Sequence, residues 1–180
     1  MHSLVTLLLL VPVFADPPRS GLEIGQRPGP YSSLVVVGAE RGTQHCFVCE
    51  AEKRPLVIVF ARTPSEPLGK LLHRMDGLLK KSTELRGWTT FLAADAGPLE
   101  PNVIAWSRKH ATGSVPITIF EDPVGPPAYR LAADAEVTVL VASNRKVTAR
   151  FAYRPGELDD AAIHSIAAAA QKTLTPIEKK

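Results

Sequence analysis

The chain of 180 residues contains two cysteines, in the order Cys46-Phe47-Val48-Cys49. Two thiols at that spacing close a small ring that a third thiol can reopen, one cysteine attacking and the other resolving the mixed disulfide. On that reading Cys46 is the nucleophile and Cys49 the resolving thiol, and the two are the catalytic pair of a thiol–disulfide exchange. A protonated His45 would favour the thiolate of its neighbour. The same two residues can equally form a structural disulfide that fastens a loop, and the apolar Phe47 and Val48 between them suit a buried brace. Metal binding is the third reading. Here two cysteines and His45 supply three ligands at most, whereas structural zinc takes four. Glu50 stands where covalent haem attachment through C-x-x-C-H needs a histidine, and no cofactor is expected.

Other chemistries have less to work with. His73, His110 and His164 fall on separate predicted helices and read as surface or helix-end residues rather than a triad. Asp159 and Asp160 read as helix starters, not paired catalytic carboxylates. No G-x-S-x-G, P-loop or G-x-G-x-x-G is present. Lys and Arg total 21 against 18 Asp and Glu, a formal charge of +3, with no basic block beyond Lys80-Lys81 and Lys179-Lys180. That balance argues against nucleic acid as a partner.

The oxidation state of the pair depends on the compartment. Leu4 to Phe14 is almost wholly apolar, yet as a helix it rises only about 16 Å, too short for a bilayer core of roughly 30 Å. It leads to Val13-Phe14-Ala15, small residues at the positions a signal peptidase reads. Residues 1–15 are therefore expected to be a cleaved export signal, which leaves a mature chain of about 165 residues (180 minus 15). No other apolar run is long enough to span a membrane. An exported protein, periplasmic or extracellular, meets oxidising conditions, so a disulfide is the expected default of the pair. The partner would be another exported protein.

The elements that hold the pair follow from pattern. Hydrophobic residues make up 45% of the chain and charged residues 22%, which supports one domain with a real core. Residues 16–31 carry Pro17, Pro18, Pro28 and Pro30 with Gly21, Gly25 and Gly29, and read as an extended leader on the domain surface. Leu34 to Val37 is a short strand. Ala39 to Arg54 is polar and holds the cysteines. Leu56 to Phe60 is a continuous apolar run, the mark of a strand buried on both faces. Thr63-Pro64-Ser65-Glu66 reads as a capping box with Pro64 at the first helical position. The helix after it carries Leu68, Leu71, Leu72, Met75, Leu78 and Leu79 on one stripe, with Lys70, Arg74, Lys80 and Lys81 in solvent. Trp88 to Ala94 is a strand, followed by a turn at Asp95-Ala96-Gly97-Pro98 and a helix over Asn102 to His110. Val115 to Phe120 is a further strand. Glu136 to Val141 and Val147 to Tyr153 alternate at period two and form a hairpin, and a helix over Leu158 to Leu174 closes the domain. Strands separated by helices imply a mainly parallel centre, with the hairpin as an antiparallel edge.

This order resembles the thioredoxin-like fold in its redoxin variant, related to peroxiredoxins and periplasmic thiol–disulfide proteins. The resemblance spans about Gly25 to Leu174. Its most specific stretch is VTVLVASNRKVTARFAYRPGELDDAAIHSIAAAA, similar to the final hairpin and the helix that packs back on the sheet. RPLVIVFAR is similar to the central strand leading into the active-site loop. The resemblance implies an α/β three-layer sandwich, a mixed central sheet with helices on both faces, over residues 32–175, with a tail at 176–180.

It also implies a reactive cysteine after the central strand, at the start of the first long helix, where the helix end stabilises a thiolate. That segment here is Ala61-Arg62-Thr63-Pro64-Ser65-Glu66 and contains no cysteine. Thr63 and Ser65 read as capping oxygens. The resemblance further implies a proline before a late strand. Either Val115-Pro116 or Ala135-Glu136 takes that place, and hairpin spacing favours the second, making Pro116 a strand-start proline. The cysteines precede the central strand, so topology ties them to the opposite end of the sheet from the family's site. Two functions from different classes result: thiol–disulfide exchange through Cys46 and Cys49, or a non-catalytic redoxin-like binding or structural domain with a bracing disulfide.

Overall fold

A computed structural model describes residues 16–174. The expected export signal at 1–15 and the tail at 176–180 lie outside the described residues.

The apolar run after Pro55 forms strand β3 (Leu56–Ala61), and all six of its residues are buried. Burial on both faces requires a layer on each side, and the alternation sorts the side chains between two cores. Val57, Val59 and Ala61 face helices α2 (Glu66–Lys81), α3 (Ala96–Lys109) and α4 (Asp160–Lys172). Leu56, Ile58 and Phe60 face the other side. There the cover is the short helix α1 (Phe47–Ala51), a 3-10 turn at Pro127–Tyr129, and Leu22 and Tyr31 from the stretch read as a leader. That stretch is extended along the domain, and its Ser20 hydroxyl reaches Thr138 Oγ1 at 2.6 Å. Gly25 and Gln26 also exchange backbone hydrogen bonds with Val147. Helices therefore lie on both faces, the long ones all on one.

The other strands are β1 (Ser33–Val37), β2 (Gln44–His45), β4 (Arg86–Leu92), β5 (Ile117–Phe120), β6 (Val137–Ser143) and β7 (Lys146–Tyr153). The sheet order is β2-β1-β5-β4-β3-β6-β7. β3, β4 and β5 are parallel, while β6 runs antiparallel to β3 and pairs with β7 as the expected hairpin. The sheet is mixed, as expected. Glu136 immediately precedes β6, the hairpin strand beside β3, whereas Pro116 precedes β5.

Three local expectations are corrected. The cap of α2 is Ser65, whose hydroxyl accepts from Leu68 N, and the proline of the first turn is Pro67 rather than Pro64. Thr63 is held away from the helix, because both its N–H and its hydroxyl donate to the Glu136 carboxylate. Helix α3 begins at Ala96 and not near Asn102: Asp95 caps it by accepting from Gly97 N, so the supposed turn residues form its first turn. Pro98 is tolerated there because the first turn has no intrahelical use for its missing N–H. The polar segment 39–54 contains β2 and α1, neither of which has a periodic signal of its own.

Gly69 shows how closely the helices meet. A Cβ at this position would lie 2.3 Å from the His110 ring, which ends α3. Two turns further along the same face of α2, Asp76 is 3% exposed. Its carboxylate accepts from Ser114 N at 2.7 Å and from Lys80 Nζ at 2.6 Å, tying the helix to the loop before β5. Burial alone would raise its pKa, but the Lys80 and Ser114 bonds outweigh it and hold the carboxyl below the ordinary aspartate value. A depressed folded-state pKa contributes stability above the unfolded value of about 3.9, which is lost as pH falls through the lower folded value. Asp76→Ala is expected to cost about 1–3 kcal/mol at neutral pH, mostly through the unsatisfied Ser114 N–H, since Lys80 is largely in water. Urea unfolding at pH 7 and at pH 3 checks this, because the difference from wild type should narrow at the lower pH.

Candidate active site

Cys46 and Cys49 form a disulfide with their Cα atoms 5.4 Å apart. The local chain explains why they meet. β2 pairs with the start of β1, Ser33 opposite His45, and ends at the first cysteine. Cys46 is then the residue before α1, and the Cys49 N–H donates to its carbonyl at 3.1 Å. One helical turn thus returns the chain to within disulfide reach.

A stack of rings seats this turn on the sheet. His45 lies against Phe47, with ring centres 4.4 Å apart, and Phe47 stacks on Trp88 at 5.6 Å. Trp88 is 1% exposed and donates from Nε1 to the Tyr31 hydroxyl at 2.8 Å. That hydroxyl also contacts Thr90 Oγ1 at 2.8 Å. Burial pushes the Tyr31 pKa well above the ordinary tyrosine value, against the opposing effect of the Thr90 and Trp88 hydrogen bonds. The phenol is therefore neutral and is a hydrogen-bonding post, not a base. His45 Nε2 faces Glu50 Oε1 at 3.2 Å, an ion pair whenever the imidazole is protonated.

The two cysteines differ in exposure. Cys46 is half-buried and Cys49 is exposed. Cys49 borders a hollow of about 190 Å³ shared with Arg27, Val48, Glu52, Leu56 and Arg145. A larger open hollow of about 460 Å³ lies on the other side of Phe47, and neither cysteine lines it. The presence of Leu56 places the disulfide at the beginning of β3, as topology anticipates, so the sheet separates it from the start of α2. The five residue steps of β3 alone span roughly 16–17 Å.

The position after β3, where redoxins carry the reactive cysteine, is built differently. Arg62 turns back and donates from Nε to Ala135 O at 2.9 Å, from Nη1 to Pro123 O at 2.7 Å and from Nη2 to Ala132 O at 3.0 Å. Thr63 bonds Glu136, and Ser65 caps α2. Glu66 is paired with Lys109 Nζ at 3.0 Å, and that hydrogen bond holds its carboxyl below the ordinary glutamate value. A hollow of about 260 Å³ does lie here, between Thr63, Ser65, Glu136 and Arg154. It contains no thiol; Thr63 bonds Glu136, while Ser65 caps α2 and Arg154 pairs with Asp134 and Glu157. Of the histidines, His73 and His164 are exposed on α2 and α4, while His110 ends α3 with its side chain 8% exposed. The three are not brought together.

Sequence comparison is silent: no family model and no curated protein matches. Comparison of the folds is informative. A Chlorobium tepidum protein provisionally named as the thiol:disulfide interchange protein DsbE superposes with a TM-score of 0.57 at 16% identity, over 83% of this chain and 99% of its own. The fold is thioredoxin-like. A Bacteroides thetaiotaomicron protein provisionally named as a protein disulfide isomerase superposes with a TM-score of 0.65 at 13% identity, over 86% of this chain and 92% of its own. Peroxidoxin BcpB of Mycobacterium tuberculosis gives 0.59 at 12% identity, over 84% and 97% of the two chains. In this thioredoxin-like chain, then, the scaffold is shared, and its two cysteines form a disulfide at the beginning of the central strand rather than after it. Sequence reading identified the cysteine pair and the vacant redoxin position. It missed Arg27, Arg145 and Trp88 as companions of the disulfide, because each comes from a distant segment.

Proposed function

We propose that this protein is an exported thiol–disulfide exchange protein that works through Cys46 and Cys49. The observation that carries this reading is the exposure of Cys49 beside a hollow, since thiol–disulfide exchange needs access to the disulfide. A C-x-x-C disulfide on a thioredoxin-like scaffold supports it, and among the described residues no helix is long and apolar enough to cross a membrane. Residues 1–15 serve as the export signal, and the partner is another exported protein. Because Cys49 is the exposed member, the roles expected from sequence are exchanged in this reading: the incoming thiolate attacks Cys49, and Cys46 leaves and acts as the resolving thiol. In the oxidising direction Cys46 reverses that step by attacking the mixed disulfide.

A second reading has an observation of its own. The ring stack from His45 to Trp88 anchors the turn to the core, as a bracing disulfide in a binding domain would require. The measurement that separates the two is the reduction potential of the pair, with Cys46→Ser as control. Exchange predicts a potential above about −300 mV and disulfide reductase activity that disappears in the variant. A lower potential with no activity leaves the brace.

A further inference from the structure

We infer that the hollow beside Cys49 selects thiols that carry carboxylates, so that the reductant of this disulfide, separate from the exported protein it acts on, is an anionic low-molecular-weight thiol. The inference rests on the exchange reading above and adds the chemistry of what is exchanged.

Two arginines, Arg27 and Arg145, line the hollow with Cys49, and the single acidic residue lining it is Glu52. Among the described residues neither arginine is in an ion pair. The Asn144 N–H donates to Lys53 O at 3.2 Å, which docks the β6–β7 turn on the segment between α1 and β3. Lys53 and Lys146 are exposed on the same two segments. Glu50, the acidic residue of α1, faces His45. The surroundings of the accessible cysteine are thus cationic, although the chain as a whole carries only +3.

The backbone of the turn argues in the same direction. Asn144 and Arg145 are the two central residues of the hairpin and have φ of 51° and 63°. Such a turn is best made by Asn-Gly. Asparagine is present, but the glycine position is held by an arginine in the left-handed region, where a side chain costs conformational energy. A long cation at that position is explained by what its guanidinium does at the hollow.

The chemistry balances without any further component. A thiolate R–S⁻ attacks Cys49 Sγ, forming the R–S–Sγ bond, while the Cys46–Cys49 bond breaks and its electron pair leaves on Cys46, which takes up a proton. A second R–S⁻ attacks the R sulfur of the mixed disulfide and releases R–S–S–R and the Cys49 thiolate. Two thiols are oxidised and one protein disulfide is reduced. The guanidinium groups hold the carboxylates of R and raise the local thiolate concentration, an effect that salt screens.

The volume of about 190 Å³ suits a small molecule more than a folded partner's loop. The test reduces the oxidised protein with mercaptosuccinate, 2-mercaptoethanol or cysteamine, anionic, neutral and cationic respectively. Released protein thiols are trapped by alkylation, and rates are expressed per thiolate. The expected result is a rate with mercaptosuccinate about tenfold above that with 2-mercaptoethanol at low salt, and cysteamine slowest. The ratio should collapse toward one in Arg27→Gln/Arg145→Gly and in high salt. Arg145→Gly suits the turn backbone, so its thermal midpoint should not fall, and it serves alone as the folding-safe variant. Equal rates for the three thiols, or a ratio unchanged in the double variant, overturns the inference while leaving exchange intact. A disulfide that none of the three reduces overturns the exchange reading itself. A cysteine-containing acidic peptide, run in parallel, overturns the low-molecular-weight assignment if it reacts faster than mercaptosuccinate.

Discussion

Trp88→Ala is expected to destabilise the protein by about 3–5 kcal/mol, the range for removing a large aromatic side chain from a core. Trp88 is at 1% exposure in β4, beside Ile58 of β3, in the core of the face that α1 covers. Its loss opens a cavity and removes the N–H donor to the Tyr31 hydroxyl. It also removes the surface on which Phe47 stacks. The effect should therefore reach the disulfide: backbone amides of α1 should exchange faster than those of α2, and the reduction potential should move. Trp88→Phe separates these contributions. It retains a ring under Phe47 while deleting the N–H, and should cost about 1–3 kcal/mol through the lost hydrogen bond and partial cavity. Denaturant unfolding gives the stabilities, and hydrogen exchange gives the local effect. Equal protection of α1 in wild type and Trp88→Ala would mean that the disulfide turn is held without the ring stack.

The contrast between α1 and α2 shows what a sequence can disclose. α2 has six apolar residues at spacings of three and four, and Leu68, Leu71, Leu72, Met75 and Leu78 are buried. That periodicity is carried within one segment, as are the apolar run of β3 and the alternation of the hairpin. α1 has five residues and is marginal by itself. It exists because the disulfide closes one turn, because β2 delivers the chain to Cys46, and because Trp88 receives Phe47. The disulfide is local, but β2 depends on β1 and the seat of Phe47 depends on β4, so the other causes are not. Helix α3 was obscured for another reason: Pro98 and Gly97 are turn residues by composition, but a helix's first turn accommodates both. The cap of α2 moved from Thr63 to Ser65 because Glu136, seventy-three positions away, takes the Thr63 donors. The candidate site divides in the same way. The cysteine pair and its end of the sheet were legible from spacing and topology, whereas the two arginines flanking Cys49 come from the leader and the hairpin turn, and only the fold brings them together.

Arg62→Ala should be the most damaging change in the segment where redoxins hold their reactive cysteine, costing about 2–4 kcal/mol. The guanidinium satisfies three carbonyls of one connection, at Pro123, Ala132 and Ala135. Hydrogen bonds from a charged donor contribute about 1.5–3 kcal/mol each, and three in one fork add less than their sum because exposed carbonyls recover water. Lysine cannot replace this group, since a single ammonium cannot span three acceptors in a planar fork, so Arg62→Lys should recover less than half of the loss. The consequence for function is specific. If the segment after β3 is architectural here, Arg62→Ala should loosen residues 123–135 to proteolysis yet leave the reduction potential of Cys46–Cys49 in place, because β3 separates the two ends. A potential that shifted with Arg62 would mean that the two ends communicate, and the old and new positions would have to be treated as one site. Stability measured with the potential on the same variant therefore decides whether the segment after β3 is independent of the disulfide or coupled to it.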